Sequence, residues 1–239
     1  LLMGLNRKSY RPYTRTREGN FALNGLLGFD MYGKTVGVVG TGRIGRCLVD
    51  ILKGFGMRVL AYDLFPDDKY AEEKGIEYVS LEDLYRQSDV INLTCPLTKD
   101  TYHMINRFSI GMMKPGVVIV NTGRGGLINT KDLIDGLKRG NIGAAGLDVY
   151  EEEGDYFFED HSIDFIQDDV LARLMSFPNV LITSHQAFFT KEALQAIAET
   201  TLENVTQYLN NEVLENEICY RCEQDCKNKG KKEKRCFKQ

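Results

Sequence analysis

This sequence predicts a doubly wound α/β domain built on a parallel sheet, and three observations predict it. Residues 35 to about 185 alternate short apolar runs with segments of helical periodicity, the pattern of strands linked by crossover helices. Runs such as Val117-Val118-Ile119-Val120 are apolar without a break, which suits strands covered on both faces. The run Val36-Gly37-Val38-Val39 passes through Gly40-Thr41-Gly42-Arg43-Ile44-Gly45 into a segment of helical spacing, so a glycine-rich turn joins a strand to a helix.

In chain order, residues 1 to about 32 form a basic lead-in with Arg7, Lys8, Arg11, Arg15 and Arg17, expected as a solvated face. Pro12 is expected to kink or end any helix there. Leu1-Leu2-Met3-Gly4-Leu5 reads as the middle of an apolar segment, so a chain that lacks its beginning is expected. Strands are expected at 36–39, 59–62, 76–78, 90–93, 117–121, 144–148 and 180–183. The helix after the glycine turn carries Ile44, Leu48, Ile51, Leu52 and Phe55 at helical spacing. Ser80-Leu81-Glu82-Asp83 reads as a capping box, and Asn129 or Thr130 can cap a helix over 131–139 that Gly140 stops. From Thr190 a long helix runs to about Asn210 on a stripe of Ala193, Leu194, Ile197, Ala198, Leu202, Val205 and Leu209, expected to pack.

The glycine turn also carries chemistry. Gly40 permits the tight turn, Gly42 lets a pyrophosphate lie against the backbone, and Gly45 lets the helix pack close to the strand. The helix start offers unpaired N–H groups and a positive dipole end to phosphates. The next strand ends in Asp63, 18 positions after Gly45, near the spacing of the carboxylate that holds a ribose 2′-OH. Leu64-Phe65-Pro66 brings no Arg for a 2′-phosphate, so a Rossmann-type site for NAD rather than NADP is expected.

In such a sheet the ligand lies beyond the carboxyl ends of the strands. The residues there are Thr94-Cys95-Pro96, Asn121-Thr122-Gly123-Arg124, Asp148-Val149-Tyr150-Glu151-Glu152-Glu153 and Ser184-His185-Gln186. Arg, a carboxylate and His beside a nicotinamide point to hydride transfer at a carbonyl carbon. Arg124 suits the clamp on a carboxylate and its carbonyl oxygen, and His185 suits the proton donor. An acid partner for His185 comes from Glu151, Glu152 or Glu153, among which spacing alone does not choose.

The bulk numbers bound the rest. With 239 residues and a formal charge of −4, the chain holds one large domain or one domain plus part of another, without a global pull toward nucleic acid or membrane. No apolar run approaches the roughly 20 residues of a membrane span, and no signal-peptide pattern opens the chain. Six Cys fit reduced thiols in a cytoplasm. Cys219, Cys222, Cys226 and Cys236 in the tail have a spacing that suggests a zinc site.

The chain resembles the D-specific 2-hydroxyacid dehydrogenase family, and within it the fermentative D-lactate dehydrogenase branch. The motifs that carry the resemblance are Tyr32-Gly33-Lys34-Thr35 leading to Gly40-Thr41-Gly42-Arg43-Ile44-Gly45, Cys95-Pro96-Leu97-Thr98, Asn121-Thr122-Gly123-Arg124-Gly125, Asp148 through Glu153, and Pro178-Asn179-Val180 through His185. The resemblance implies catalytic Arg124 and His185, picks Glu153 as the partner acid, and places Asp148 at the nicotinamide. It also places the Cys95-Pro96 loop near NAD, with Arg43, Ile44, Thr122 and Gly123 around it, and Phe188 as a wall for the methyl end of pyruvate. The segment from Tyr156 to Val170 is similar to the lactate branch. Implied with it are reduction of pyruvate to D-lactate and a homo-oligomer, a dimer through this domain. The implied domains are 1–20 as the end of an interdomain helix, 21–188 as the NAD-binding domain, 189–217 as a helix returning toward a substrate domain, and 218–239 as a Cys- and Lys-rich tail. Most of the substrate-binding domain is expected to be absent. The alternatives are a dehydrogenase for a larger 2-oxo acid and a non-catalytic NAD(H)-sensing module.

Overall fold

β1 (Thr35–Val39) is buried along all five residues and sits at the middle of the sheet. It pairs with β2 (Arg58–Tyr62) on one side and β4 (Val90–Leu93) on the other, with Val36 level with Val59 and Val90. β3 (Glu77–Tyr78) lies outside β2, while β5 (Val117–Asn121), β6 (Ile142–Leu147) and β7 (Val180–Ile182) follow outward from β4. Every pair is parallel, and the order is β3-β2-β1-β4-β5-β6-β7. All seven strands expected from the apolar runs are present. The order reverses between β1 and β4, the place where a doubly wound sheet of this kind takes its ligand. The computed structural model describes residues 1–214, 216 and 217. They fall in two compact units that divide between Gln186 and Ala187.

The helices are α1 (Leu2–Arg7), α2 (Tyr10–Arg17), α3 (Arg43–Gly54), α4 (Asp68–Lys74), α5 (Leu81–Gln87), α6 (Arg107–Met112), α7 (Thr130–Arg139), α8 (Asp169–Met175) and α9 (Lys191–Leu209). Alternate residues of the strands feed two cores. Val36, Val38, Val59, Val118 and Val120 join Leu5, Val49 and Leu52 on one face. Ile91, Leu93, Val117 and Ile119 join Leu84, Leu133, Ile142 and Leu174 on the other. Each such fully buried aliphatic side chain is worth about 1.5–3 kcal/mol, which explains why the strand runs lack polar interruptions.

Local caps set most helix starts. Asp67, Ser80, Asn106, Asn129, Asp168 and Thr190 each accept a backbone N–H at the start of α4 through α9. α3 has no such side-chain cap. Gly40 stands at φ +96, a conformation that favours glycine, and a methyl on Gly45 would lie 2.0 Å from the Gly40 carbonyl oxygen. Gly45→Ala therefore forces α3 off β1. We expect a loss of about 1–3 kcal/mol in denaturant unfolding together with loss of NADH binding. Unchanged unfolding and binding would show that α3 can retreat freely.

Four details differ from expectation. Pro12 neither kinks nor ends a helix; it occupies the first turn of α2, where its missing N–H is not needed. The basic lead-in is not wholly a solvated face. Lys8 Nζ donates to the Gly25 and Leu27 carbonyls, Arg15 to Asn24 and Arg11 to Pro178. In α3 the buried line runs through Gly45, Val49 and Leu52, while Ile44 and Ile51 are exposed, because the glycine marks the closest approach to the sheet. α9 buries none of its residues, and Leu202 is 67% exposed. Periodicity reports that a helix face is apolar, not what meets it. No described helix is long and apolar enough to cross a membrane.

Candidate active site

The loops that leave the carboxyl ends of the strands touch one another in sequence. A methyl on Gly40 would lie 2.7 Å from the Cys95 backbone nitrogen, and one on Gly123 would lie 3.1 Å from the Cys95 carbonyl oxygen. A methyl on Gly125 would lie 2.1 Å from the Tyr150 carbonyl carbon. Backbone thus meets backbone from the glycine turn to the segment after β6, and the glycines make this continuous rim possible.

At one end, Gly42 starts α3 with open space beside it: nothing lies within 4 Å of where its β-carbon would be. With no side-chain cap, the first N–H groups of this 12-residue helix are left to an external acceptor. Arg43 and Ile44 are exposed at that start. Asp63 closes β2 and binds the turn: its Oδ2 accepts the Thr41 N–H at 2.7 Å and the Thr41 hydroxyl at 2.9 Å, and its Oδ1 accepts the Phe65 N–H at 3.0 Å. Burial pushes the Asp63 pKa up, but these hydrogen bonds outweigh it and hold the carboxyl below its ordinary value. The nearby Arg46 guanidinium is engaged by Asp67 at 2.8 Å and lies over the Tyr70 ring at 4.3 Å.

The middle of the rim is Thr94-Cys95-Pro96 after β4. Burial pushes the Cys95 thiol up to about 11, so it stays a neutral wall, and its Sγ lies 3.8 Å from Met104 Sδ. After β5, Asn121 holds the next turn, accepting the Gly123 N–H and donating to the Arg124 carbonyl. Thr122 and Gly123 are half-buried in it. The Arg124 side chain is exposed, with Nη1 donating to the Gly123 carbonyl at 2.8 Å.

At the far end β6 and β7 bring three groups together. Asp148 is buried, accepts the Thr183 hydroxyl and the Gln186 N–H, and its backbone carbonyl accepts the His185 N–H at 2.7 Å. His185 sits in the left-handed region at φ 53. Its Nδ1 lies 2.9 Å from Glu153 Oε1, and Glu153 Oε2 accepts the Tyr150 N–H at 3.0 Å. The Nε2 of His185 has no hydrogen-bond partner among the described residues. Glu152 is exposed, and Glu151 turns to another histidine, His103, at 2.5 Å.

Two residues near this site were not singled out from the sequence. Phe158 lies with its ring centre 5.9 Å from that of His185. It belongs to the 156–170 segment, which is tied to the rim where the Tyr150 hydroxyl donates to Asp168. His103 is the second. It lies in an irregular turn where no period marks it. Phe188 lies in the second unit, 43% exposed, edge-on to Phe189 at 6.0 Å. Cys219, Cys222, Cys226 and Cys236, expected to hold zinc, lie outside the described residues. Among the described residues no cluster of His, Cys, Asp or Glu could hold a metal ion.

Comparison with known proteins gives a consistent result. Residues 1–187 match the family model described as D-isomer specific 2-hydroxyacid dehydrogenase, NAD binding domain. Over 218 residues the chain is 54% identical to a protein of Escherichia coli (strain K12) named D-lactate dehydrogenase, covering 91% of this chain and 66% of that protein. The solved structure of a Chlamydomonas reinhardtii protein described as a pyruvate reductase superposes with a TM-score of 0.86 at 46% identity, covering 90% of this chain and 65% of that one. A structure of D-lactate dehydrogenase from Aquifex aeolicus, complexed with NAD and lactic acid, superposes at 0.80 with 35% identity, covering 88% and 64%. The chain thus spans just under two thirds of the length of these relatives.

Proposed function

The chain belongs to the D-isomer specific 2-hydroxyacid dehydrogenase family, and from that premise we propose that it is the NAD-binding part of an enzyme that reduces pyruvate to D-lactate. The observation that carries the reading is the His185–Glu153 pair, with Nδ1 engaged at 2.9 Å and Nε2 without a hydrogen-bond partner among the described residues. Relatives named D-lactate dehydrogenase and pyruvate reductase support the substrate.

The open start of α3 at Gly42 and the Asp63 carboxylate fit the pyrophosphate and a ribose of NAD(H). Gly40, Gly45, Arg43, Ile44, Cys95, Pro96, Thr122 and Gly123 line the same rim in this reading. Bound NADH supplies the hydride to the carbonyl carbon. Arg124 binds the substrate carboxylate and draws charge onto the carbonyl oxygen, a bidentate task that its planar fork suits. His185 gives a proton from Nε2 to that oxygen. Glu153 fixes the ring by accepting from Nδ1–H and stabilises the imidazolium before the transfer. Asp148 holds the His185 backbone through its carbonyl, and in this reading it would belong to the nicotinamide end of the site. Phe188 would wall the substrate methyl in this reading.

Asp63 should set cofactor choice. A carboxylate welcomes a 2′-OH and repels a 2′-phosphate, and Arg46 is occupied by Asp67. Asp63→Ala is expected to narrow the NADH over NADPH preference about tenfold or more, read as the ratio of kcat/KM values. An unchanged ratio removes Asp63 from the ribose contact. The substrate is tested by turnover of the whole protein on a 2-oxo acid series. Pyruvate is expected to give the highest kcat/KM; preference for a bulkier acid would refute the pyruvate assignment and keep the family chemistry.

A further inference from the structure

The segment after Glu153 carries an aromatic ring to His185 on a backbone that its neighbours hold in place. The Tyr156 and Phe157 N–H groups both donate to the Glu153 carbonyl, at 3.1 and 2.9 Å. The segment thus starts from the residue whose carboxylate meets His185. Asp168 ties the far end. Its Oδ2 accepts the Tyr150 hydroxyl at 2.5 Å, its Oδ1 accepts the Val170 and Leu171 N–H groups at 2.8 and 3.0 Å, and its own N–H donates to the Tyr156 hydroxyl at 2.9 Å. Burial, and then the Asp168 carboxylate, push the Tyr150 pKa up, so the phenol stays the donor.

Tyr156 and Phe157 are half-buried and pack against the core that holds Leu171 and Leu174. Phe158 does the opposite. It is 73% exposed, and its backbone stands in the left-handed region at φ 73. A bulky residue keeps that conformation only where its surroundings impose it. A large apolar side chain that is neither buried nor relaxed adds little to the fold. What the strained backbone achieves is the position of the ring. Its centre lies 5.9 Å from that of the His185 imidazole, with the two planes 35° apart. Phe158 and His185 belong to the same compact unit, so this placement is set within it.

In the dehydrogenase reading, His185 Nε2 comes within hydrogen-bond reach of the substrate carbonyl oxygen, about 2.6–3.2 Å. The group carried on that carbonyl carbon lies two bonds from the oxygen, so it enters the space that the Phe158 ring borders. We propose that Phe158 is a specificity-determining residue: it walls the 2-oxo acid site on the imidazole side and limits the size of the group beside the carbonyl. The proposal rests on the dehydrogenase reading and adds to it a residue that selects methyl over a branched chain.

The test compares kcat/KM for pyruvate and for 4-methyl-2-oxopentanoate in the whole protein. Phe158→Ala and Phe158→Gly should each lower the pyruvate-to-branched ratio about tenfold or more, chiefly by gain on the branched acid, because small changes of fit in an apolar pocket act at this scale. NADH affinity, read by fluorescence, should stay within about twofold of wild type. Phe158→Tyr keeps the ring and should keep the ratio within about threefold. Glycine accepts the positive φ without strain, so Phe158→Gly should unfold at no lower denaturant concentration than Phe158→Ala, and it carries the test where the alanine variant fails to fold. A ring that served only the fold would lower turnover of both acids together. An unchanged ratio in the alanine and glycine variants of an active protein therefore overturns the wall alone. A wild type that binds NADH and turns over no 2-oxo acid overturns the dehydrogenase reading and the wall with it.

Discussion

Replacing His185 with Gln is expected to lower pyruvate turnover by about 10²–10⁴-fold, the range of a positioned general acid, with NADH affinity nearly unchanged. Glutamine keeps polarity and approximate reach but has no acidic proton to give. The loss should fall in kcat, because the proton moves in the transition state and contributes little to ground-state binding. His185 lies beyond β7 and Gly42 at the start of α3, beyond β1, so the substitution leaves the glycine turn intact. Glu153→Gln should have a smaller effect in the same direction, since the amide can still face Nδ1 while the charge that favours the imidazolium is gone. Stopped-flow oxidation of NADH measures both. A His185→Gln enzyme within about threefold of wild type would remove His185 from the chemistry.

The second large effect is expected at Arg124. Arg124→Ala should lower kcat/KM for pyruvate by about 10²–10³-fold, as loss of a preorganised group at a developing oxyanion does, again with NADH binding retained. The side chain is exposed, and its recorded hydrogen bond is to the neighbouring Gly123 carbonyl, so the fold loses little when it is removed. Arg124→Lys should recover part of the rate and less of the substrate affinity, because an ammonium cannot match the bidentate geometry. Unfolding should be unaffected by either change. Near-normal turnover of Arg124→Ala would end the clamp role.

These expectations show where sequence suffices. The strands were legible because both faces of a parallel sheet are covered, so Val117–Val120 could not afford a polar residue. The glycine turn was legible because its backbone approaches within contact distance of α3 and Cys95, where no side chain fits. Spacing could not separate Glu151 from Glu153: the segment after β6 is irregular, and residues two apart there face different histidines. His103 was invisible for the same reason. It lies in a turn defined by long-range partners, Gly126, Asn129 and Glu151, that no local period encodes. The backbone contacts of the basic lead-in were not legible, because a charge run says nothing about which backbone carbonyls lie within reach of it.

The most direct test of the central reading is oxidation of NADH by the whole protein in the presence of pyruvate, with chiral analysis of the lactate formed. The account predicts rapid oxidation, D-lactate as the product, and loss of the reaction in His185→Gln with NADH still bound. Tight NADH binding with no turnover of pyruvate would contradict it and leave the rim as a cofactor-sensing site.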